Sequence, residues 1–211
     1  MCALIVNKEK KREDIILAAL MVFAEKGFSR TTIKDIAEHA GIGKGTVYEY
    51  FNDKDEIIYS SFSYFLSIFE TDMEKILLSD RSGINKFNEL VLTMTKIIES
   101  EQKKLLDLMF DFWAEGIRSN SKGPMLEEMQ KFYTLYRKIF TDVISEGMAD
   151  GTIRKDIDPD ATASLIVGML DGIVVQWILD KKNFKVGEIQ KVIPGLLING
   201  VGETKINGGE E

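Results

Sequence analysis

The sequence predicts an all-helical protein, and three observations support this fold class. Only three of the 211 residues are proline, and few segments alternate apolar and polar residues as half-buried strands do. Apolar residues instead recur at helical spacing along most of the chain. Between residues 31 and 54, two such segments are short and are joined by a glycine turn. We therefore expect three short amino-terminal helices followed by a larger helical domain.

The first helix is predicted over residues 8–26. Its core positions follow helical spacing: Ile15, Ile16, Ala19, Leu20 and Phe23. Gly27 is expected to end this helix in the left-handed conformation, with Phe28 folding back as the accompanying apolar contact. Thr32 and Asp35 have the spacing of a capping box, which predicts that a second helix begins there.

Residues 31–54, TTIKDIAEHAGIGKGTVYEYFNDK, predict a helix-turn-helix. Gly41 is suited to the turn because glycine adopts positive φ without strain. The predicted inward faces are Ile33, Ile36, Ala37 and Ala40 on one helix, and Ile42, Val47 and Phe51 on the other. The predicted outward set suits phosphates and base edges: Lys44, Gly45, Thr46, Glu49 and Tyr50. The pattern therefore points to DNA binding.

The rest of the chain predicts a long fourth helix and then further helices. Asp53 and Glu56 repeat the cap spacing, so the fourth helix should begin there and run toward Leu78. The other predicted helices cover residues 84–100, 103–117, 124–149, 159–179 and 186–198. Pro194 should kink or interrupt the last of them, and the tail after Gly202 should be disordered.

Composition limits the function classes. A net charge of −7 argues against wholesale non-specific coating of nucleic acid. The single cysteine, Cys2, excludes an internal disulfide and suits a reducing cytosol. The opening MCALIV is too short for a signal peptide, and no run approaches 18 apolar residues. We therefore expect a cytoplasmic protein that does not span a membrane.

The segment from the first helix through FAEKGFSRTTIKDIAEHAGIGKGTVYEYFNDKDEII resembles the amino-terminal domain of TetR-family transcriptional regulators. The motifs are G-F-x-x-T-T, D-I-A-x-x-A-G and K-G-T-V-Y-x-Y-F, followed by x-x-K-D-E. The later DGTIRKDIDPDATASLIVGMLDGIVVQWILD is similar to the family's penultimate-helix region. The resemblance implies a DNA-binding domain over 1–53, an effector-binding and dimerisation domain over 54–202, and a tail over 203–211.

The resemblance also implies a homodimer that binds a palindromic double-stranded operator, in most members as a repressor released by a small ligand. The DNA-contacting positions it implies are Thr32, Gly43, Lys44, Gly45, Thr46, Tyr48, Tyr50 and Lys54. Gly43 departs from the family, which often has serine there. Tyr48 could equally be a core residue. Glu49 places an acid on the DNA face, where it could accept from a cytosine amine or limit non-specific affinity.

A family member needs an effector cavity, and the second domain is rich in aromatic and methionine residues. Most of these must be core, but such side chains also suit an apolar or aromatic effector. The candidate ligand-binding residues are Phe62, Phe65, Phe69, Met94, Met109, Phe112, Trp113, Tyr133 and Tyr136.

A stripe of small residues at helical spacing occupies 161–179. Small side chains let a second helix approach closely, either within the chain or across a dimer, and the resemblance favours the dimer. The candidate interface residues are Ala161, Ser164, Gly168, Gly172, Val175 and Leu179, with Ile189, Ile193 and Leu196 from the last helix.

One further pattern keeps an alternative class open. Asp107, Asp111 and Glu115 recur every fourth residue and could form a metal site, a site for a cationic drug, or the centre of a metal-dependent helical enzyme. Basic residues fall on the same side, so a mixed-charge solvent face is the favoured interpretation: Lys103, Lys104 and Arg118. The lone histidine, His39, has no partner for zinc or nucleophilic chemistry and should be solvated.

We therefore predict a DNA-binding transcriptional regulator with no catalytic residues, cofactor or metal. A ligand-released repressor is favoured. An activator or ligand-independent regulator is the first alternative, and a purely structural interaction protein is a more distant one.

Overall fold

The computed structural model describes residues 2–100, 103–118 and 124–202. They confirm the all-helical prediction, and their only β-type pairing is an isolated bridge between Ile153 and Gly202. The helices are α1 (Cys2–Arg30), α2 (Ile33–His39), α3 (Lys44–Tyr48), α4 (Lys54–Leu77), α5 (Gly83–Lys96), α6 (Lys103–Arg118), α7 (Pro124–Asp150), α8 (Pro159–Leu179) and α9 (Val186–Val201). A 3₁₀ turn (Ile97–Glu99) follows α5.

The chain forms two compact units. The first unit comprises Met1–Phe69 and Lys104–Lys131, and the second unit comprises Glu70–Lys103 and Phe132–Glu211. The division between the units falls inside α4, after the first residue of α6 and inside α7. The predicted division at residue 53 concerns DNA-binding and ligand-binding roles, and it stays a prediction.

α1 is longer than predicted, and its end differs. It begins at Cys2 and reaches Arg30, with a break in helical geometry at Gly27. Gly27 has φ 72° and ψ 164°, so it is not the predicted left-handed cap. This positive φ redirects the chain for one further turn, which a side chain at this position would resist. Phe28 does fold back, as predicted, and is buried.

An aromatic cluster forms part of the core of the first unit. The Phe28 ring lies 4.8 Å from Phe23 on α1 and 4.8 Å from Phe112 on α6. Phe112 in turn lies 4.7 Å from Phe62 on α4. These edge and tilted ring contacts tie the end of α1 to both α4 and α6.

In the second unit, α5 and α7 meet at two glycines. A Cβ added to Gly83 would lie 2.3 Å from the Cα of Gly147, so the two backbones touch there. Asp150 accepts a hydrogen bond of 2.7 Å from the Gly83 N–H. The buried ammonium of Lys86 donates at 2.7 and 3.0 Å to Glu146.

α8 begins as predicted, with the Asp158 side chain accepting from the Ala161 N–H and Pro159 in the first helical position. Among the described residues, α8 alone is long and apolar enough to cross a membrane by length and composition. Six of its side chains are buried within the chain: Ala163, Ile166, Val167, Leu170, Ile173 and Trp177. α9 runs through Pro194 without ending, so of the predicted kink or interruption the interruption is absent and the kink stays a prediction.

Three predictions fall on residues that lie outside the described part of the chain, in whole or in part. These are the tail over 203–211, the two effector and carboxylate candidates Phe69 and Glu115, whose side chains are not described, and the side chains of the basic residues Lys103, Lys104 and Arg118.

Candidate nucleic-acid interface

The helix-turn-helix begins with the predicted capping box. The Thr32 hydroxyl accepts from the Asp35 N–H at 3.2 Å, and the Thr32 N–H donates to Asp35 at 2.8 Å. Lys26 of α1 donates to the same carboxylate at 2.6 Å. Lys26 above all, and then Thr32, hold the pKa of Asp35 well below its usual range. The start of α2 is thereby tied to the end of α1.

The turn between α2 and α3 also follows the prediction. Gly41 has φ 65°, and Val47 and Phe51 are almost completely buried against the preceding helices. Ala40 and Ile42 are only half-buried, because they lie at the edge of the turn. α3 therefore packs mainly through Val47.

The side of α3 opposite Val47 faces away from the core. Gly43, Lys44, Gly45, Tyr48 and Glu49 are exposed, while Thr46 and Tyr50 are half-buried. Tyr48 is 50% exposed, which favours the surface role over the core role. The Lys44 ammonium lies 5.7 Å from the centre of the Tyr48 ring, so the cation and the aromatic face form one exposed group.

Arg12 on α1 contacts the residues that follow α3, and no prediction from the sequence named it. Its guanidinium lies 4.4 Å from the centre of the Phe51 ring and donates to Glu56 and Ser60 at 3.2 and 3.0 Å. The Asn52 N–H, above all, and then Arg12 lower the pKa of Glu56. Arg12 thus joins α1 to the segment between α3 and α4.

Two of the predicted DNA contacts flank α2 and α3. Thr32 is exposed as the cap of α2. Lys54 is half-buried at the start of α4, and its ammonium donates to the backbone carbonyls of Phe28 at 3.0 Å and Thr31 at 3.2 Å.

Family models match both parts of the chain. Residues 15–59 match the model of bacterial regulatory proteins of the tetR family. Residues 91–197, half of the chain, match the carboxy-terminal model of BetI-type transcriptional repressors. The chain belongs to the TetR family. It is therefore a DNA-binding transcriptional regulator, and the carboxy-terminal model places it among the repressors.

Named relatives of this TetR-family chain are regulators as well. The fatty acid metabolism regulator protein of Bacillus subtilis is 23% identical over 92% of this chain and 97% of its own length. The transcriptional repressor KstR2 of Mycolicibacterium smegmatis is 27% identical over 71% of each chain. The crystal structure of FadR from Bacillus subtilis in complex with stearoyl-CoA has the same fold, with a TM-score of 0.76 and 22% identity over 89% of this chain and 98% of that one.

The effector candidates of this TetR-family chain fall in both units. Phe62, Phe65, Phe69, Met109, Phe112 and Trp113 belong to the first unit, and Met94, Tyr133 and Tyr136 to the second. Phe62, Phe65, Met94, Met109, Phe112 and Tyr136 are buried, whereas Trp113 and Tyr133 are half-buried. The buried members are core residues in this structure. Their role toward a ligand stays a prediction.

The dimer candidates lie in the second unit and are mostly accessible. Leu179 and Leu196 are 78% and 68% exposed; Ala161, Ser164 and Gly168 are exposed; Gly172, Val175 and Ile189 are half-buried. A Cβ on Gly168 or Gly172 would meet nothing within 4 Å. Ile193 differs, because it is only 4% exposed and already packs inside its own chain.

The carboxylate stripe on α6 is described at two of its three positions. Asp107 is exposed and Asp111 is half-buried, and within the described residues no group of three or more His, Cys, Asp or Glu side chains could hold a metal ion. His39 is exposed, as predicted.

Asp171 is an acidic residue that no prediction from the sequence named. It is half-buried on α8. Burial raises its pKa to about 6, and a hydrogen bond from Tyr133 offsets part of this rise. Its signal was visible in the sequence, because Asp171 is the one charged residue between 161 and 179.

Proposed function

We propose that this chain is a homodimeric repressor that binds a palindromic operator and is released by a small apolar effector. One observation carries the proposal: the α3 face that bears Lys44, Gly45, Tyr48 and Glu49 is exposed, while Val47 anchors the opposite face in the core. In a helix-turn-helix, a second helix whose outer face is exposed fits the major groove of B-DNA.

The exposed residues suggest how the groove is read. Lys44 supplies a cation for a phosphate, and the adjacent Tyr48 ring and hydroxyl can contact the sugar-phosphate backbone or a base. Gly43 and Gly45 have no side chain that would keep the DNA backbone away. Glu49 accepts hydrogen bonds only, so it suits a cytosine amine and disfavours guanine and thymine, whose major-groove edges present only acceptors.

The outer face of α8 and α9 supports the proposed homodimer. Leu165, Leu179 and Leu196 are each at least two-thirds exposed, and Gly168 and Gly172 leave room for a close helix crossing. Burying this face against the same face of a second copy would form a symmetric four-helix interface. Two copies of α3 could then enter successive major grooves about 34 Å apart.

The effector class is proposed from the relatives and from composition. The relatives' names refer to fatty acid metabolism and to stearoyl-CoA, and the candidate residues of this chain are aromatic side chains and methionines. Such walls suit a long apolar ligand. The effector would lower operator affinity by binding more tightly to a conformation with the wrong spacing of the two α3 helices. This function requires a cytoplasmic location.

DNA binding is tested by fluorescence anisotropy with the duplex upstream of the protein's own coding region, against a scrambled duplex. Lys44→Ala and Tyr48→Ala should each weaken binding at least tenfold. Lys138→Ala, which removes one exposed charge from α7, is the matched control and should bind like the wild type. Equal affinity of the wild type for both duplexes would sink the proposed operator function.

Dimerisation is tested by sedimentation velocity. Gly172→Arg should convert the dimer to a monomer, and Thr134→Arg on an exposed position of α7 should not. A dimer that persists in the Gly172→Arg variant would rule out this face as the interface.

Effector release is tested with stearoyl-CoA as the probe and free coenzyme A as the control. The acyl ester should raise the melting temperature and displace the duplex, and coenzyme A alone should do neither. Displacement by neither compound would favour a different effector or a ligand-independent regulator.

A further inference from the structure

The Lys54 side chain makes hydrogen bonds within the protein. It belongs to the first residue of α4, yet its ammonium donates to the carbonyl of Phe28 in the last turn of α1 and to the carbonyl of Thr31, which follows α1 directly. Carbonyls at the end of a helix have no partner within the helix, and they carry the negative end of the helix dipole. The Phe28 carbonyl also accepts from the Thr31 N–H at 3.3 Å, and the lysine ammonium adds a charged donor that neutralises that end.

The segment that Lys54 holds leads directly into the helix-turn-helix. The carbonyl of Thr31 immediately precedes Thr32, whose hydroxyl caps α2. The neighbouring carbonyls already have other partners: Lys26 accepts from Arg30, and Gly27 accepts from the Thr31 hydroxyl. Lys54 therefore completes the set of bonds that fixes how the chain leaves α1 and enters α2.

The same segment is held from α6. Phe28 packs against Phe112, and the site of a Cβ on Gly27 would lie 3.5 Å from a carboxylate oxygen of Asp111. The junction between α1 and α2 thus has a polar attachment to α4 and an apolar attachment to α6. Since Gly27 breaks the helix just before it, the junction depends on these side chains for its direction.

We propose that Lys54 is a positioning residue for operator binding, which orients α2 and α3 through the carbonyls of Phe28 and Thr31 and does not contact a DNA phosphate. This inference rests on the proposed DNA-binding function. An ammonium has three N–H groups, and two are used by these carbonyls on a half-buried side chain. Turning the ammonium to a phosphate would leave both carbonyls without this donor.

The salt dependence of binding separates the two roles. A lysine that neutralises one phosphate contributes about 0.9 to the slope of log Kd against log salt concentration. Lys54→Met should weaken operator binding about tenfold at every salt concentration and leave that slope unchanged. Lys44→Met is the reference, because it removes an exposed lysine from α3 and should lower the slope by about 0.9.

A second readout follows the junction itself. Native-state hydrogen exchange should speed up at the Thr31 and Asp35 amides in Lys54→Met, since their hydrogen bonds to Phe28 and Thr32 belong to the held segment. Amides of α8 should exchange at the wild-type rate. Lys54→Gln keeps one donor group on a shorter chain, so its affinity should lie between those of the wild type and Lys54→Met, again with an unchanged slope. It also serves if Lys54→Met fails to fold.

The outcomes are distinct. A slope that falls by about 0.9 in the Lys54 variants, with unchanged exchange at Thr31 and Asp35, would overturn the proposal in favour of a phosphate contact. If the wild type binds the operator and Lys44→Met behaves as expected, the proposed function stands whatever Lys54 does. If the wild type shows no preference for its own upstream duplex, both proposals fail.

Discussion

Gly83 and Gly147 bring α5 and α7 into direct backbone contact, because a Cβ on Gly83 would lie 2.3 Å from the Gly147 Cα. Gly83→Ala should therefore destabilise the protein by roughly 1–3 kcal/mol, the usual cost of overpacking. Urea unfolding followed by circular dichroism measures this difference.

The matched control is Gly200→Ala on α9, where a Cβ meets nothing within 4 Å. This change should be neutral or stabilise by up to about 1 kcal/mol, because alanine favours a helix more than glycine does. Equal effects of the two substitutions would contradict the close contact.

The ion pair between the buried Lys86 and the partly exposed Glu146 gives a second prediction. The Lys86 side chain is only 7% exposed, whereas that of Glu146 is 45% exposed. Glu146→Gln leaves a buried ammonium without its main partner and should cost roughly 1–3 kcal/mol, with the lower values favoured by the exposure of Glu146. Lys86→Met removes the charge and keeps the packing, so it should cost less. Unfolding free energies in the reverse order would show that packing of the lysine stem dominates.

Phe112 is expected to dominate the aromatic cluster of the first unit. It is completely buried and touches both Phe28 and Phe62. Phe112→Ala should reduce the unfolding free energy by about 3–5 kcal/mol. Ile117→Ala on the same helix removes a side chain that is 75% exposed and should change it by less than about 0.5 kcal/mol. A small loss for Phe112→Ala would mean that the cluster closes over the cavity.

Asp171 gives a pH-dependent prediction. Its pKa is raised from 3.8 to about 6 by burial, so the folded protein binds this proton more tightly than the unfolded chain does. The resulting stability is fully present below about pH 4 and is lost as the pH rises through about 6. Tyr136, a titratable residue near Asp171, has a raised pKa and therefore stays neutral between about pH 4 and pH 6.

Asp171→Asn should therefore be more stable than the wild type at pH 7.5, by up to about 3 kcal/mol. The advantage should shrink through pH 6 and vanish near pH 4. Guanidinium unfolding at three pH values measures it, and an advantage that does not change with pH would exclude burial of the charge as the cause.

The amino-terminal module was predictable in detail because its signals are local. The capping box at Thr32, the positive φ of Gly41 and the burial of Val47 each depend on residues a few positions apart. The limits of α4, α7 and α8 were predictable within a few residues for the same reason. At Pro194 the predicted interruption of α9 is absent, because local propensity does not measure the packing that can keep a helix together across a proline.

The helical fold, the helix-turn-helix and its TetR-type motifs can be predicted from the sequence, since apolar spacing and cap residues encode them over short distances. The partners of the charged side chains depend on tertiary contacts, which join residues far apart in the chain. The resemblance implies a DNA contact for Lys54, but folding brings its ammonium to the carbonyls of Phe28 and Thr31, 26 and 23 positions away. Asp171 acquires its shifted pKa in the same way, because desolvation depends on the helices that fold around a residue.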